Sequence, residues 1–133
     1  MDTYIKKTQD LRGRRYPSAE ERFWIKVNKN GPIHPILQTA CWLWTGCEIT
    51  GYGQFNNDNR KVVYVHVFSY ELHYGPVPLG LEVDHFCSIR NCVRPEHLEA
   101  VTPKENCRRR DAYNKRIRSL NKAIREVTLV KDR

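Results

Sequence analysis

The sequence predicts a small α+β protein with a single domain, an antiparallel β-sheet and a long C-terminal helix. Its 133 residues, 40% of them hydrophobic and 11% aromatic, suffice for one modest core and argue against a disordered chain. Two strand-like segments lie around a turn, and two segments begin with helix-capping residues. Residues 1–17 have little to bury, so we predict a flexible basic N-terminal arm there and the domain over residues 18–133.

Local signals place the elements of the first half. Ser18 and Glu21 form a capping box, which predicts a helix over about residues 19–27. The segment CWLW is typical of a buried strand, and GYGQF and KVVYVHV on either side of the turn NNDN predict an antiparallel pair. FSYELHY is predicted to be a short helix that ends at Gly75 and Pro76. The following aromatic residues are expected in the core: Trp24, Trp42, Trp44 and Tyr52.

The second half is predicted to run strand, irregular loop, strand, helix. LEVDHF and LEAVT are the predicted strands. The segment CSIRNCVRPEHL between them has neither the helical nor the strand spacing of apolar residues. Thr102 as cap, Pro103 at the first position and Glu105 reaching back open a helix expected to end near Val127. One apolar stripe of this helix is predicted to face protein, either the core or the interface of a dimer: Tyr113, Ile117, Leu120 and Ile124.

Charge is concentrated at the C-terminal end of the chain. The net charge is +8, of which residues 1–100 carry +1 and residues 101–133 carry +7. Such a positive field favours a nucleic-acid partner. No apolar run approaches the roughly 18 residues of a membrane span, and the N-terminus lacks the apolar core of a secretory signal. We therefore expect a cytoplasmic protein without a membrane partner, whose five cysteines are thiols or metal ligands.

Two groups of residues could carry chemistry. Cys87, Cys92 and His97 lie five residues apart in the irregular loop, which predicts a structural zinc site. Cys41, at the start of CWLW, is our choice for the fourth ligand, with Cys47 as the competitor.

The second group surrounds a histidine two residues before Cys87. A neutral imidazole at His85 can accept a proton from water, and the oxygens of Asp84 and Asn106 suit a hard cation such as magnesium. Each of these residues alone would be ordinary. The set becomes informative because the proposed zinc loop lies between Asp84 and Asn106.

Residues 84–110 resemble the HNH endonucleases with a ββα-metal fold, including phage-type and homing enzymes. The wider stretch CWLWTG, GYGQF and VYVHVFSYELHYGPVPLGLEVDH is similar to phage-type HNH proteins, so the resemblance covers roughly residues 20–110. One sub-pattern is similar to the His-Cys box homing endonucleases: His85, Cys87, Cys92, His97 and Asn106.

The resemblance implies a DNA endonuclease. His85 would be the general base, and Asp84 and Asn106 would hold one magnesium or manganese ion, giving 5′-phosphate and 3′-hydroxyl products. The structural zinc ligands would be Cys41, Cys87, Cys92 and His97. His97 falls where many HNH relatives have their middle Asn, and Asn91 fits loop structure better than that role.

Two positions depart from the relatives. An acid, Asp84, precedes the histidine, unlike in His-Cys box enzymes, which favours the two-ligand magnesium arrangement of phage-type enzymes. His66-Val67 stands where many relatives have His-Arg, so the basic group expected near the site would come from elsewhere. His66 is interpreted as a core or supporting residue, with a phosphate contact as the alternative.

DNA contacts are expected from the charged residues near these sites. The candidates are Arg108, Arg109 and Arg110 on the last helix and Arg60 and Lys61 at the hairpin. A zinc-stabilised, non-catalytic DNA- or RNA-binding module remains the alternative function. A monomer and a homodimer both remain open.

Overall fold

The structure is a computed structural model that describes residues 12–131, so residues 1–11 of the predicted basic arm lie outside the described residues. The helices are α1 (Ala19–Ile25), α2 (Val65–Tyr74) and α3 (Pro103–Lys131). The strands are β1 (Val27–Asn28), β2 (Leu43–Trp44), β3 (Glu48–Ile49), β4 (Tyr52–Asn56), β5 (Val62–Tyr64), β6 (Glu82–His85) and β7 (Leu98–Val101). The predicted α+β fold with antiparallel strands and a C-terminal helix is confirmed.

The strands form three small sheets. β1 pairs with β2, and β3, β4 and β5 form an antiparallel sheet in that order. β6 pairs with β7. By its contacts the described chain divides into two units: residues 12–77 with Val83–Glu99, and Pro78–Glu82 with residues 100–131. The predicted boundary at residue 18 stays a prediction.

The capping box predicted before α1 is present. The Ser18 hydroxyl accepts a hydrogen bond from the Glu21 N–H, and the Glu21 carboxylate accepts one from the Ser18 N–H. The helix ends at Ile25 rather than Val27, because Val27 pairs with Trp44 in the first sheet.

The main core lies against α1. Phe23 is fully buried and stacks on Trp44, with 5.6 Å between ring centroids, and Val65 and Val93 complete the buried group. Burying a side chain the size of Phe23 stabilises the fold by about 2–3 kcal/mol. Of the predicted core aromatics, Trp44 is buried, Trp24 and Trp42 pack on the core partly buried, and Tyr52 is partly buried.

The hairpin around NNDN is confirmed, with Phe55 opposite Val63 in the β4–β5 register. Treating all of KVVYVHV as a strand was wrong, because β5 ends at Tyr64 and α2 begins at Val65. The β-branched residues favour a strand locally, but tertiary packing prevails. Val65 is fully buried in the core, and the Ser69 hydroxyl donates to the Val93 carbonyl.

The order strand, loop, strand, helix is confirmed for the second half, but the loop is not wholly irregular, since Pro95–His97 form a 3-10 helix. Thr102 caps α3 by accepting from the Glu105 N–H at 3.1 Å. The Glu105 carboxylate, predicted to reach back, instead accepts hydrogen bonds from Arg108 and Arg109. α3 extends to Lys131, beyond the predicted end near Val127.

The apolar stripe predicted to face protein is exposed, so among the described residues it does not serve the core, and an interface with another chain stays a prediction. All side chains from 111 to 128 are exposed, including the four of the stripe. Amphipathic spacing identifies an apolar side of a helix without identifying what covers it. Within residues 12–131, no helix is long and apolar enough to cross a membrane.

Candidate metal centre and active site

The structure brings together four side chains that were predicted as zinc ligands: Cys41, Cys87, Cys92 and His97. One potential ligand atom from each lies within 4.8 Å of all the others. All four residues are buried, and three of them have no exposed surface. A Cys3His group of this kind could bind zinc.

Backbone pairing explains how a distant cysteine reaches the loop. Leu43 bridges Cys92 in antiparallel fashion, the Trp44 N–H donates to the Asn91 carbonyl, and the Val93 N–H donates to the Trp42 carbonyl. The start of CWLW therefore lies beside the second loop cysteine. Cys41 is placed in the group, whereas Cys47 is exposed and is outside it.

A close backbone approach supports Cys41 from its other side. The Gly31 N–H donates to the Cys41 carbonyl at 3.0 Å, and a Cβ at residue 31 would lie 2.2 Å from that oxygen. The Arg94 guanidinium donates to the Ala40 carbonyl and lies over the Trp42 ring. These contacts position the cysteine through the backbone of its neighbours.

The imidazole of His97 is oriented by a residue that the sequence did not reveal. Nδ1 lies 3.5 Å from Sγ of both Cys41 and Cys92, and Nε2 lies 2.6 Å from the Thr39 hydroxyl. In a tetrahedral zinc site the sulfur-to-nitrogen edge is about 3.6 Å. The observed spacing fits such a site, with Thr39 fixing the ring from outside.

Burial and hydrogen bonding give the three thiols different protonation states. Burial raises the pKa of Cys41 to about 11, and a hydrogen bond to Cys92 together with burial raises that of Cys87. The same hydrogen bond lowers the pKa of Cys92 to about 5. One thiolate is therefore favoured in the protein alone, and a divalent cation would favour the other two.

His85 is buried at the end of β6, and its Nε2 lies 3.0 Å from the Cys92 carbonyl oxygen. Since a carbonyl can only accept, Nε2 carries the hydrogen and Nδ1 keeps a lone pair. Burial is the main cause that lowers the pKa of His85 to about 4, so the ring is neutral at pH 7. This is the tautomer and charge state of a proton acceptor.

Two aromatic neighbours lie against this imidazole. The His66 ring is 4.8 Å from the His85 ring, and the Tyr52 ring is 6.3 Å from it. His66 is buried, and burial followed by repulsion from His85 lowers its pKa to about 3. Among the described residues its Nδ1 has no hydrogen-bond partner. The placement agrees with a core or supporting role.

The predicted magnesium ligands offer the oxygen donors that this ion prefers. Asp84 is partly buried on β6, next to His85. Asn106, on the first turn of α3, donates from Nδ2 to the Glu82 carboxylate at 2.8 Å. Because Nδ2 makes this bond, Oδ1 is the amide atom that could serve as a metal ligand. Glu82 is the second orienting residue that the sequence analysis missed.

The candidate DNA-binding residues fall in two places. On α3, Arg108 and Arg109 donate to Glu105 at 2.6 Å and 3.0 Å, and these bonds lower the pKa of Glu105 to about 2. Arg110 is exposed beside them. Arg60 and Lys61 are exposed at the β4–β5 turn, which Asn57 closes by accepting from the Lys61 N–H.

Thr39 and Glu82 were missed because neither has a recognisable motif. Each acts on a ligand candidate far away in sequence, 58 positions for Thr39 and 24 for Glu82. Threonine and glutamate are common at ordinary surface positions, so only the fold reveals these partners.

Known proteins resemble parts of the chain. Residues 63–108 match the family model described as HNH endonuclease. The chain is 43% identical over 67 residues to Protein 7.7 of Escherichia phage T7, which covers 50% of this chain and 51% of that protein. It is 40% identical over 74 residues to Protein 2.8 of the same phage, covering 53% and 49%.

A third relative comes from Enterobacteria phage T3, an uncharacterized gene 5.3 protein that is 33% identical over 54 residues, covering 41% of this chain and 54% of that protein. The chain spans about half the length of these curated relatives. No solved structure matches it significantly. The family match covers the predicted base and three of the four cluster residues, and it confirms for residues 63–108 the resemblance to HNH endonucleases that the sequence predicted.

Proposed function

We propose that the protein is an HNH endonuclease that hydrolyses phosphodiester bonds of DNA with His85 as the general base. The observation that carries this proposal is the hydrogen bond from His85 Nε2 to the Cys92 carbonyl, within a segment that matches HNH endonucleases. It leaves Nδ1 as the proton acceptor. A protein that only binds DNA has no need of a buried imidazole held in this tautomer.

The proposed reaction is an in-line displacement at phosphorus. His85 Nδ1 takes a proton from water as the water oxygen bonds to phosphorus. The bond from phosphorus to the 3′ oxygen breaks and that oxygen takes a proton from solvent, leaving 5′-phosphate and 3′-hydroxyl ends. Asp84 and Asn106 are the proposed ligands for magnesium or manganese. Such an ion, when bound, stabilises negative charge on the phosphate and on the leaving oxygen.

The proposed role of the Cys3His cluster is structural zinc binding. Zinc with four protein ligands has no open position for substrate. Cys92 belongs to the cluster through its sulfur and accepts from His85 through its carbonyl. Zinc would therefore fix the backbone group that sets the tautomer of the general base.

DNA is the proposed substrate, and basic side chains on α3 and at the hairpin are the proposed phosphate contacts: Arg108, Arg109, Arg110, Arg60 and Lys61. The excess positive charge of residues 101–133 supports this assignment. The phage relatives support action in the cytoplasm of an infected bacterium.

Plasmid cleavage tests the proposal. Supercoiled plasmid is incubated with the protein in magnesium or manganese, with and without EDTA, alongside His85→Ala. His73→Ala is the matched control, because His73 is an exposed histidine of α2. We expect the wild type and the control to nick or linearise the plasmid. EDTA and His85→Ala should reduce cleavage at least 100-fold, the scale of a general-base contribution.

Two results would contradict the proposed endonuclease activity. One is an intact plasmid with both metals, repeated on phage and host genomic DNA to include sequence-specific substrates. The other is cleavage by His85→Ala at the wild-type rate. DNA binding without any cleavage would instead support the alternative function, a zinc-stabilised binding module.

A further inference from the structure

The outer part of α3 carries an apolar stripe that nothing in the described chain covers. All side chains from 111 to 128 are exposed, over a helix length of about 27 Å. Leu120 is 53% exposed and Ile124 is 62% exposed. Helix stability in proteins comes mainly from packing of an apolar face, and this part of α3 has no such packing within the described chain.

The spacing of the stripe is that of a coiled-coil seam. Its residues alternate steps of four and three: Tyr113, Ile117, Leu120, Ile124 and Val127. The two isoleucines occupy the a positions of a heptad, and the central d position is Leu120. β-branched residues at a with leucine at d favour parallel two-stranded coiled coils.

The positions that flank this seam carry little charge. Asn114, Asn121 and Thr128 occupy the e positions, and Arg116 and Ala123 occupy the g positions. In a parallel pair each g residue faces the e residue five positions later on the partner helix. Arg116 would face Asn121, and Ala123 would face Thr128, so no like charges meet at the seam.

The remaining basic residues lie away from the seam. Lys115 and Lys122 occupy f positions, and Arg118 and Arg125 occupy b positions. The charge therefore covers the outer side of a paired helix. A membrane surface or a globular core would select a broader apolar face than this a and d stripe. Phosphates would be contacted by the basic side rather than by isoleucine and leucine.

We propose that α3 pairs with α3 of a second copy of this chain, as a parallel two-stranded coiled coil over residues 113–127. The seam is short, and both helices are strongly basic, so the dimer is concentration-dependent. Because salt screens the repulsion between exposed charges, higher ionic strength tightens the dimer. A complex bridged by nucleic acid has the opposite salt dependence.

Analytical ultracentrifugation of nucleic-acid-free protein tests the pairing. We expect the mean mass of the wild type to rise with protein concentration towards twice the mass of one chain. In high salt this rise should occur at a lower protein concentration. The double variant Ile117→Gln and Leu120→Gln should raise the dissociation constant at least tenfold. Ser119→Gln is the control, since it adds the same side chain on the exposed c position between them.

Two outcomes would overturn the proposal. The first is a wild type that keeps the mass of one chain at every protein and salt concentration, whether or not its stripe binds anionic vesicles. The second is a dimer that Ser119→Gln weakens as much as the double variant does. The seam residues are exposed in a single chain, so we do not expect these variants to unfold the unit outside α3. Catalysis is not needed for any of these measurements.

Cross-linking tests the parallel direction. Val127→Cys is introduced into a chain with Cys47→Ser and Cys107→Ser, which removes the two exposed native thiols. Mild oxidation should join two copies through residue 127, because a parallel pair places both in one layer. Tyr113→Cys chains should likewise join to each other. Cross-links that form only between a Tyr113→Cys chain and a Val127→Cys chain would overturn the parallel arrangement.

Discussion

At the scale of single residues, Cys92 connects the two halves of the candidate site. Its sulfur lies 3.5 Å from His97 Nδ1, and its carbonyl oxygen lies 3.0 Å from His85 Nε2. A shift of this residue changes both the cluster and the imidazole. The cluster is therefore linked to the His85 imidazole through one backbone position.

Replacing Cys87 and Cys107 by serine should separate a cluster residue from an ordinary thiol. Cys87 is buried in the cluster, and Cys107 is exposed on α3. Cys87→Ser removes a proposed zinc ligand and should lower the melting temperature markedly, whereas Cys107→Ser should change stability by no more than about 0.5 kcal/mol. Thermal unfolding measures both, and equal melting temperatures would contradict the assignment.

Thr39→Val should weaken zinc binding without removing a ligand. The variant leaves the buried Nε2 of His97 without its hydroxyl partner and frees the ring to rotate. Loss of such an orienting contact typically costs 10–100-fold in metal affinity. Competition with a chelator of known affinity measures it. Thr45→Val is the control, because Thr45 bonds the distant Lys26 carbonyl on an exposed surface, and an equal loss there would argue against a specific role for Thr39.

At the scale of elements, the short segments around β2 hold the cluster in register. Gly31→Ala should disturb them, since its Cβ would lie 2.2 Å from the Cys41 carbonyl oxygen. Overpacking of this kind costs about 1–3 kcal/mol. Denaturant unfolding and zinc affinity should both weaken, while the neighbouring exposed Asn30→Ala should leave zinc affinity unchanged. Wild-type behaviour of Gly31→Ala would show that the backbone there is free to move.

Elements with strong local signals were predictable from the sequence. Ser18 and Thr102 are helix caps, and the β4–β5 hairpin forms around NNDN. The start of α2 was not predictable, because its β-branched residues favour a strand and only the packing of Val65 makes them helical. The stripe on α3 was located correctly, but the sequence did not decide between the core and an interface, and its exposure in one chain excludes the core.

The candidate site was predictable to the extent that its residues share a motif. Cys87, Cys92 and His97 lie in one loop, and the match to HNH endonucleases covers them. Cys41 rather than Cys47 lies in the cluster because Leu43 pairs with Cys92, a pairing that the sequence does not reveal. Thr39 and Glu82 could not be found, since their roles arise from contacts made by the complete fold.

At the scale of the whole molecule, zinc removal should destabilise the unit that contains the cluster. Elemental analysis of protein purified without added metal should give about one zinc per chain. Removal by a chelator should lower the free energy of unfolding by several kcal/mol, because the binding free energy of a structural zinc contributes to folding. Folded protein with only traces of zinc, and a melting temperature insensitive to the chelator, would contradict the zinc proposal.

The placement of Cys41 has a consequence for how the chain folds. It lies 46 positions before Cys87, so zinc bound to both would act as a cross-link across a long loop. A covalent bridge closing such a loop lowers the entropy of the unfolded chain by an amount worth about 4 kcal/mol. The entropy of closing this loop is lost before the distant contacts can stabilise the fold. We therefore expect the Cys3His cluster to form late in folding.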